Sequence, residues 1–156
     1  MHTHAVTLQR LAAYHQLVPL LLRLGVGLTF FFAGLGKVIG GVDGVAGFFG
    51  SLGIPLPTLM APLITYLELL GGLALILGVL TRLFGVLFIG DMLVAILLAK
   101  VPAAGQAEHL AAAFGEIRVE LLLLVASACL AILGAGMLSV DAALLGDRAR
   151  VAASQR

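Results

Sequence analysis

Tryptophan is missing from this chain and charge is scarce: 11% of the residues are Asp, Glu, Lys or Arg, against about 25% in soluble domains. With hydrophobic residues at 62% and a mean hydropathy of +1.18, a soluble fold is excluded and an integral membrane protein is indicated. Any aromatic belt at the membrane–water boundary must then rest on Tyr14, Tyr66 and the phenylalanines. Cysteine occurs once, at Cys129, which rules out an intramolecular disulfide and any Cys-x-x-Cys redox pair. Cys129 lies among Ala and Leu and reads as a small apolar packing residue rather than a reactive thiol. The four histidines, His2, His4, His15 and His109, all fall outside the apolar runs, so no pair of axial haem ligands stands within a span. His2 and His4 read as solvated tail, and no metal site is expected. A formal net charge of +1 leaves no basic surface for nucleic acid.

What the chain does have is room for four apolar spans of about 20 residues each, joined by short connections. The expectation is an all-α polytopic bundle over residues 17–145, preceded by a polar tail (1–16) and followed by a basic one (146–156). The first span runs from about Val18 to Ile39. It exceeds the roughly 7–15 residue core of a signal peptide and is followed by no Ala-x-Ala-like site, so cleavage is not expected. Residues 40–57 carry six glycines and two prolines. They are too apolar for a solvated loop and too broken for a span, and fit a short interfacial or re-entrant helix. The second span covers roughly Leu59 to Leu80, and Thr81-Arg82 turns the chain into a third, roughly Leu83 to Val101. An Ala-rich link over 102–116 precedes the fourth span, about Ile117 to Leu138, after which Ser139 has the character of a helix N-cap. Arg10, Arg82, Arg148, Arg150 and Arg156 would share one side, with Lys37, Lys100 and Arg118 opposite. By the positive-inside rule both termini are then cytoplasmic.

Ionisable residues inside the spans cost several kcal/mol each unless something answers them. Arg23, Gly27, Phe30, Gly34 and Lys37 recur at helical spacing on the first span, and Glu68, Gly71, Gly72, Leu75 and Val79 on the second. Asp91 lies near the middle of the third span, and Glu120 opens the inward stripe of the fourth, with Arg118 beside it. Laid antiparallel, Arg23, Lys37, Glu68, Asp91, Arg118 and Glu120 are expected to form one buried polar cluster. Either Arg118 balances the carboxylates or one carboxyl, Glu68 for preference, keeps its proton. Gly27, Gly34, Gly71 and Gly72 are expected to floor a groove between spans one and two. Taken alone, the residues favour a structural ion-pair network over a proton-exchanging or quinone-facing centre.

Arg23…Gly27…Phe31…Gly34…Lys37, the broken segment from Gly47 to Pro55, and the run from Glu68 to Arg82 together resemble the DoxX family. Glu120 and the stretch from Gly134 to Asp141 also look like that family's ending. The resemblance spans about residues 17–145. It implies a four-helix bacterial inner-membrane protein of oxidoreductase type, related to small subunits of a thiosulfate:quinone oxidoreductase and to a component of membrane redox-defence complexes. Carried over, the matching polar positions are Arg23, Lys37, Glu68, Arg82 and Glu120.

The expected function is therefore a membrane subunit in quinone-linked redox chemistry, with Glu68 exchanging the proton. The chain has no cofactor motif of its own, so a bound quinone or a redox partner, soluble or membrane-bound, must carry the electrons. A homo-oligomer is compatible with this reading. Rival expectations are a non-catalytic scaffold that docks a redox partner and a small proton-coupled transporter.

Overall fold

The structure, a computed structural model, describes residues 17–144. The expected tails, 1–16 and 146–156, lie outside that range, as do His2, His4, Arg148, Arg150 and Arg156. The described chain is helical: α1 (Leu17–Gly40), α2 (Val42–Ser51), α3 (Pro57–Leu77), α4 (Thr81–Ala95), a π-helical turn (Ile96–Lys100), α5 (Val101–Ala104) and α6 (Leu110–Leu133). Among the described residues three stretches are long and apolar enough to cross a membrane: Leu17–Gly40, Pro57–Leu77 and the continuous Thr81–Ala104. α6 equals α1 at 24 residues but carries Glu116, Arg118 and Glu120 in its N-terminal half. The architecture is the expected all-α membrane bundle of four long helices, with the short α2 between the first two.

Local chemistry sets the boundaries. In a bilayer the backbone must satisfy its own hydrogen bonds, so glycines that would weaken a soluble helix are carried through α1 without a break. α3 starts on Pro57, whose missing N–H costs nothing at the first helical position. It ends at Gly78, in the left-handed region with φ 73°. The π-helical turn falls immediately before Pro102, which cannot donate into the α ladder and disturbs it upstream. α6 begins seven residues before the expected Ile117, because His109 caps it: its Nδ1 accepts from the Ala112 N–H at 3.1 Å. It stops before Gly134 rather than at Leu138. Ser139 does act as an N-cap, accepting from the Ala142 N–H at 3.1 Å.

α1 packs along α3, and α4 along α6, with α2 lying on α3. The α1–α3 seam is made by the glycines Gly27, Gly34 and Gly72. A Cβ on Gly27 would stand 2.8 Å from the Gly72 carbonyl, and a Cβ on Gly34 or Gly72 would meet the backbone of Leu69 or Phe31. Gly71 admits the Phe84 and Phe88 rings, at 2.7 and 2.9 Å from a Cβ it does not have. No groove therefore runs along this seam, and the expectation that these four glycines floor one is corrected. Helices with no Cβ between them close until backbone meets backbone. At the bundle centre Phe30 and Phe88 stack with centroids 3.7 Å apart, ringed by Val26, Leu75, Met92 and Leu130. This apolar layer divides the interior in two.

Candidate functional site

On one side of the Phe30–Phe88 layer the bundle opens into a cavity of about 1260 Å³. Drug-sized ligand pockets run to about 300–1,000 Å³. Its walls are the second half of α1, α2, the first half of α3, the second half of α4 with its π-helical turn, and the middle of α6. α2 contributes Val45, Phe48 and Phe49. Gly36, Gly40, Gly44 and Gly90 also face the cavity, and a Cβ on any of them would meet nothing within 4 Å. These glycines leave space, whereas those of the seam remove it.

Five ionisable side chains line this apolar chamber: Lys37, Glu68, Asp91, Lys100 and Glu120. Lys37 Nζ is ion-paired and hydrogen-bonded to Glu68 Oε2. The Glu68 side chain is 5% exposed and that of Lys37 is 29%. The Asp91 carboxyl stands beside that of Glu68, and its Oδ2 is buried without a hydrogen-bond partner. Nearer the end of the bundle, Lys100 Nζ lies 3.1 Å from Glu120 Oε1. Asp91 and Lys100 are nine residues apart on one continuous helix, so about 13 Å of rise separates the two polar stations. Charges of opposite sign attract strongly between apolar walls, and removing one partner leaves the other uncompensated.

Two of the expected cluster members lie elsewhere. Arg23 is fourteen residues from Lys37 on α1, about 21 Å of rise, and lies beyond the Phe30–Phe88 layer. There it is 1% exposed and donates from Nη2 to the Leu138 carbonyl. Arg118 is exposed and does not line the cavity, because residues 118 and 120 of one helix point to different faces. Lys100, which sequence reasoning counted only toward orientation, takes the place beside Glu120 that Arg118 was expected to fill. Spacing hides it: nine residues are two and a half α-helical turns, which sets Lys100 on the face opposite Asp91, and the π-helical turn Ile96–Lys100 changes that phase.

Asp141 was also missed. Its Oδ1 accepts from the Leu80 N–H at 2.9 Å and its Oδ2 from the Thr81 N–H at 3.1 Å, which caps α4 from 60 residues away. Leu80 sits in the left-handed region at φ 49°, a strained position for a leucine, and the Asp141 bond helps hold it there. Among the described residues no group of three His, Cys, Asp or Glu side chains is placed to hold a metal ion. Cys129 is a half-buried free thiol.

A helical membrane bundle enclosing an apolar chamber, with charged pairs at two depths, is the class that fold and site define. The chain belongs to the DoxX family, whose model matches residues 18–101. It is similar to a Bacillus subtilis (strain 168) protein named "Putative oxidoreductase CatD", with 38% identity over 122 residues, 78% of this chain and 83% of that one. No solved structure matches it.

Proposed function

We propose that this protein is a membrane subunit in quinone-linked redox chemistry, and that its cavity receives a lipid-soluble ring headgroup. The observation that carries the reading is the chamber itself, apolar on its walls and charged at its inner end. A quinone and its quinol fit that set of side chains: a flat ring suits the wall left open by Gly36, Gly40 and Gly90, the carbonyl oxygens suit an ammonium, and the hydroxyls of the reduced ring suit carboxylates. When bound, such a molecule supplies two-electron, two-proton chemistry. The chain's own residues bind and orient it, exclude water and exchange a proton at the Glu68 carboxyl. Lys37 fixes Glu68 in place. Two carboxyls facing one ammonium carry a net charge of −1 when both are ionised and 0 when one proton is held, so proton uptake relieves charge in a dry site.

Electrons reach the site from a redox partner, soluble or membrane-bound. The same reading places the protein in a bacterial inner membrane with both termini on the cytoplasmic side, the side that collects Arg10, Arg82, Arg148, Arg150 and Arg156. Titration of purified protein with a short-chain quinol kept reduced, beside Glu68→Gln as control, tests the proposal. Wild type is expected to bind and Glu68→Gln to bind at least about tenfold more weakly, the loss of one charge-assisted hydrogen bond from a ring O–H to the carboxylate. Equal binding by both removes Glu68 from the mechanism. No binding by either removes the redox reading and leaves a scaffold, or a transporter that proteoliposome uptake under a pH gradient would reveal.

A further inference from the structure

The cavity holds three carboxyls, and they are not equivalent. Glu68 is engaged by Lys37 and Glu120 by Lys100 at 3.1 Å. Asp91 has no ion-pair partner among the described residues, and its Oδ2 is buried with nothing donating to it. Buried polar atoms in folded proteins are hydrogen-bonded with few exceptions, and each exception calls for a physical reason. Asp91 lines the same chamber, and the stacked Phe30 and Phe88 rings close the chamber's inner end about one turn away.

We infer that Asp91 is the carboxyl that anchors the cavity's ligand, and that the ligand presents a ring hydroxyl to it. This rests on the reading of the cavity as a site for a lipid-soluble ring. The adjacent Glu68 is engaged by Lys37; with both carboxyls ionised each only accepts hydrogen bonds, so what satisfies Asp91 Oδ2 is a donor. A quinone ring offers carbonyl oxygens, which are acceptors and suit Lys37. A quinol or other phenol offers O–H groups, which suit Asp91. The chamber thus has an acceptor-seeking station at Lys37 and a donor-seeking one at Asp91, both on its wall. The hydroxylated form of the ring is the one this pair selects. A site built to receive a hydroxyl discriminates strongly against the analogue that lacks it, because its own polar group is then left unpaired.

The test compares two probes, a short-chain benzoquinol kept reduced under anaerobic conditions and its dimethyl ether, by calorimetric titration of the full-length protein in nanodiscs. Wild type is expected to bind the quinol at least about tenfold more tightly than the ether, one hydrogen bond's worth of discrimination. Asp91→Leu is expected to abolish that preference, and Asp91→Asn, which keeps a carbonyl acceptor, to retain part of it. Equal binding of the two probes to wild type overturns the assignment of Asp91 while leaving the ring-binding cavity in place. Failure of both probes and of the parent quinone overturns the cavity reading itself. Should Asp91→Leu not fold, the wild-type comparison of quinol with ether still decides the point.

Discussion

The two halves of the bundle interior use buried charge in opposite ways. On the Arg23 side the charge is engaged by the chain itself: the guanidinium is 1% exposed, donates to the Leu138 carbonyl, and fills the space beside Gly78 that a Cβ would occupy. Asp141 completes that end by capping α4 and donating its own N–H to the Gly78 carbonyl at 3.0 Å. The segment after α6 is thereby strapped across the α3–α4 turn. On the far side of the Phe30–Phe88 layer the charges surround open space. In one half a charged side chain joins segments of chain together, and in the other charged side chains line a volume that the described chain does not fill. Membrane burial of charge therefore does not by itself mark a site; the marker is burial of charge beside a volume that packing has left unfilled.

The glycines break or sharpen that contrast most directly. Gly34→Leu drives a side chain into the Leu69 backbone, and backbone cannot step aside as a flexible side chain can. A loss of about 3 kcal/mol or more is expected, or a fall of roughly 6–12 °C in melting midpoint by the scaling of soluble domains. Gly36→Leu, two residues on, enters open cavity. It should melt at or above wild type, since leucine is the better helix former by somewhat under 1 kcal/mol, yet it should weaken quinone binding by filling the chamber. Thermal unfolding in detergent, run beside ligand titration, reads both. Equal destabilisation by the two substitutions would erase the distinction between seam and cavity.

The strap end comes next in size. Arg23→Met removes a hydrogen bond from a charged donor and should cost about 1.5–3 kcal/mol, with quinone affinity unchanged because Arg23 lies behind the Phe30–Phe88 layer. Asp141→Ala strips two N–H groups of their acceptor and should cost about 1–2 kcal/mol, as for other lost N-caps. Hydrogen exchange should speed up at the Leu80 and Thr81 amides in particular. Arg23→Met that abolished ligand binding would join the two halves into one functional unit, against the division drawn here.

Much of this was legible in the residues, and most of the failures share one cause. Helical spacing identified the buried stripes of α1 and α3: Arg23, Gly27, Phe30 and Gly34, then Glu68, Gly71, Gly72 and Leu75, are all buried as the period requires. Lys37 and Glu68 were expected in the same interior, and they pair. What periodicity cannot give is how another helix lies against this one, along the axis or in closeness of approach; the misplacements of Arg23 and of the seam glycines follow from that, while Arg118 departs from the period itself. Arg23 was grouped with Lys37 although about 21 Å of helix rise stands between them. Arg118 was chosen beside Glu120 for its nearness in sequence, when a neighbour two residues away on a helix faces elsewhere. The seam glycines were read as making a groove because small residues are consistent with both close approach and open space. Only the position of the facing backbone decides between those, and a single sequence does not contain it. Asp141 escaped for the related reason that its partners, Leu80 and Thr81, are remote in sequence and offer only backbone N–H groups.

The smallest effect concerns the outer pair, Lys100 and Glu120, and it tests whether the cavity is graded in polarity from its end inward. Their side chains are 34% and 17% exposed, against 5% for Glu68. Solvent reaches the outer pair, so its attraction is screened, and a double-mutant cycle of Lys100→Gln and Glu120→Gln should give a coupling of only about 0.2–1 kcal/mol. The same cycle on Lys37→Gln and Glu68→Gln should give a clearly larger coupling, because the inner carboxyl has lost its water and depends on the lysine. Chemical denaturation of all six variants in one detergent measures both. Equal couplings would mean that the two stations share one dielectric environment, and the inner pair would then have no greater claim to the chemistry than the outer.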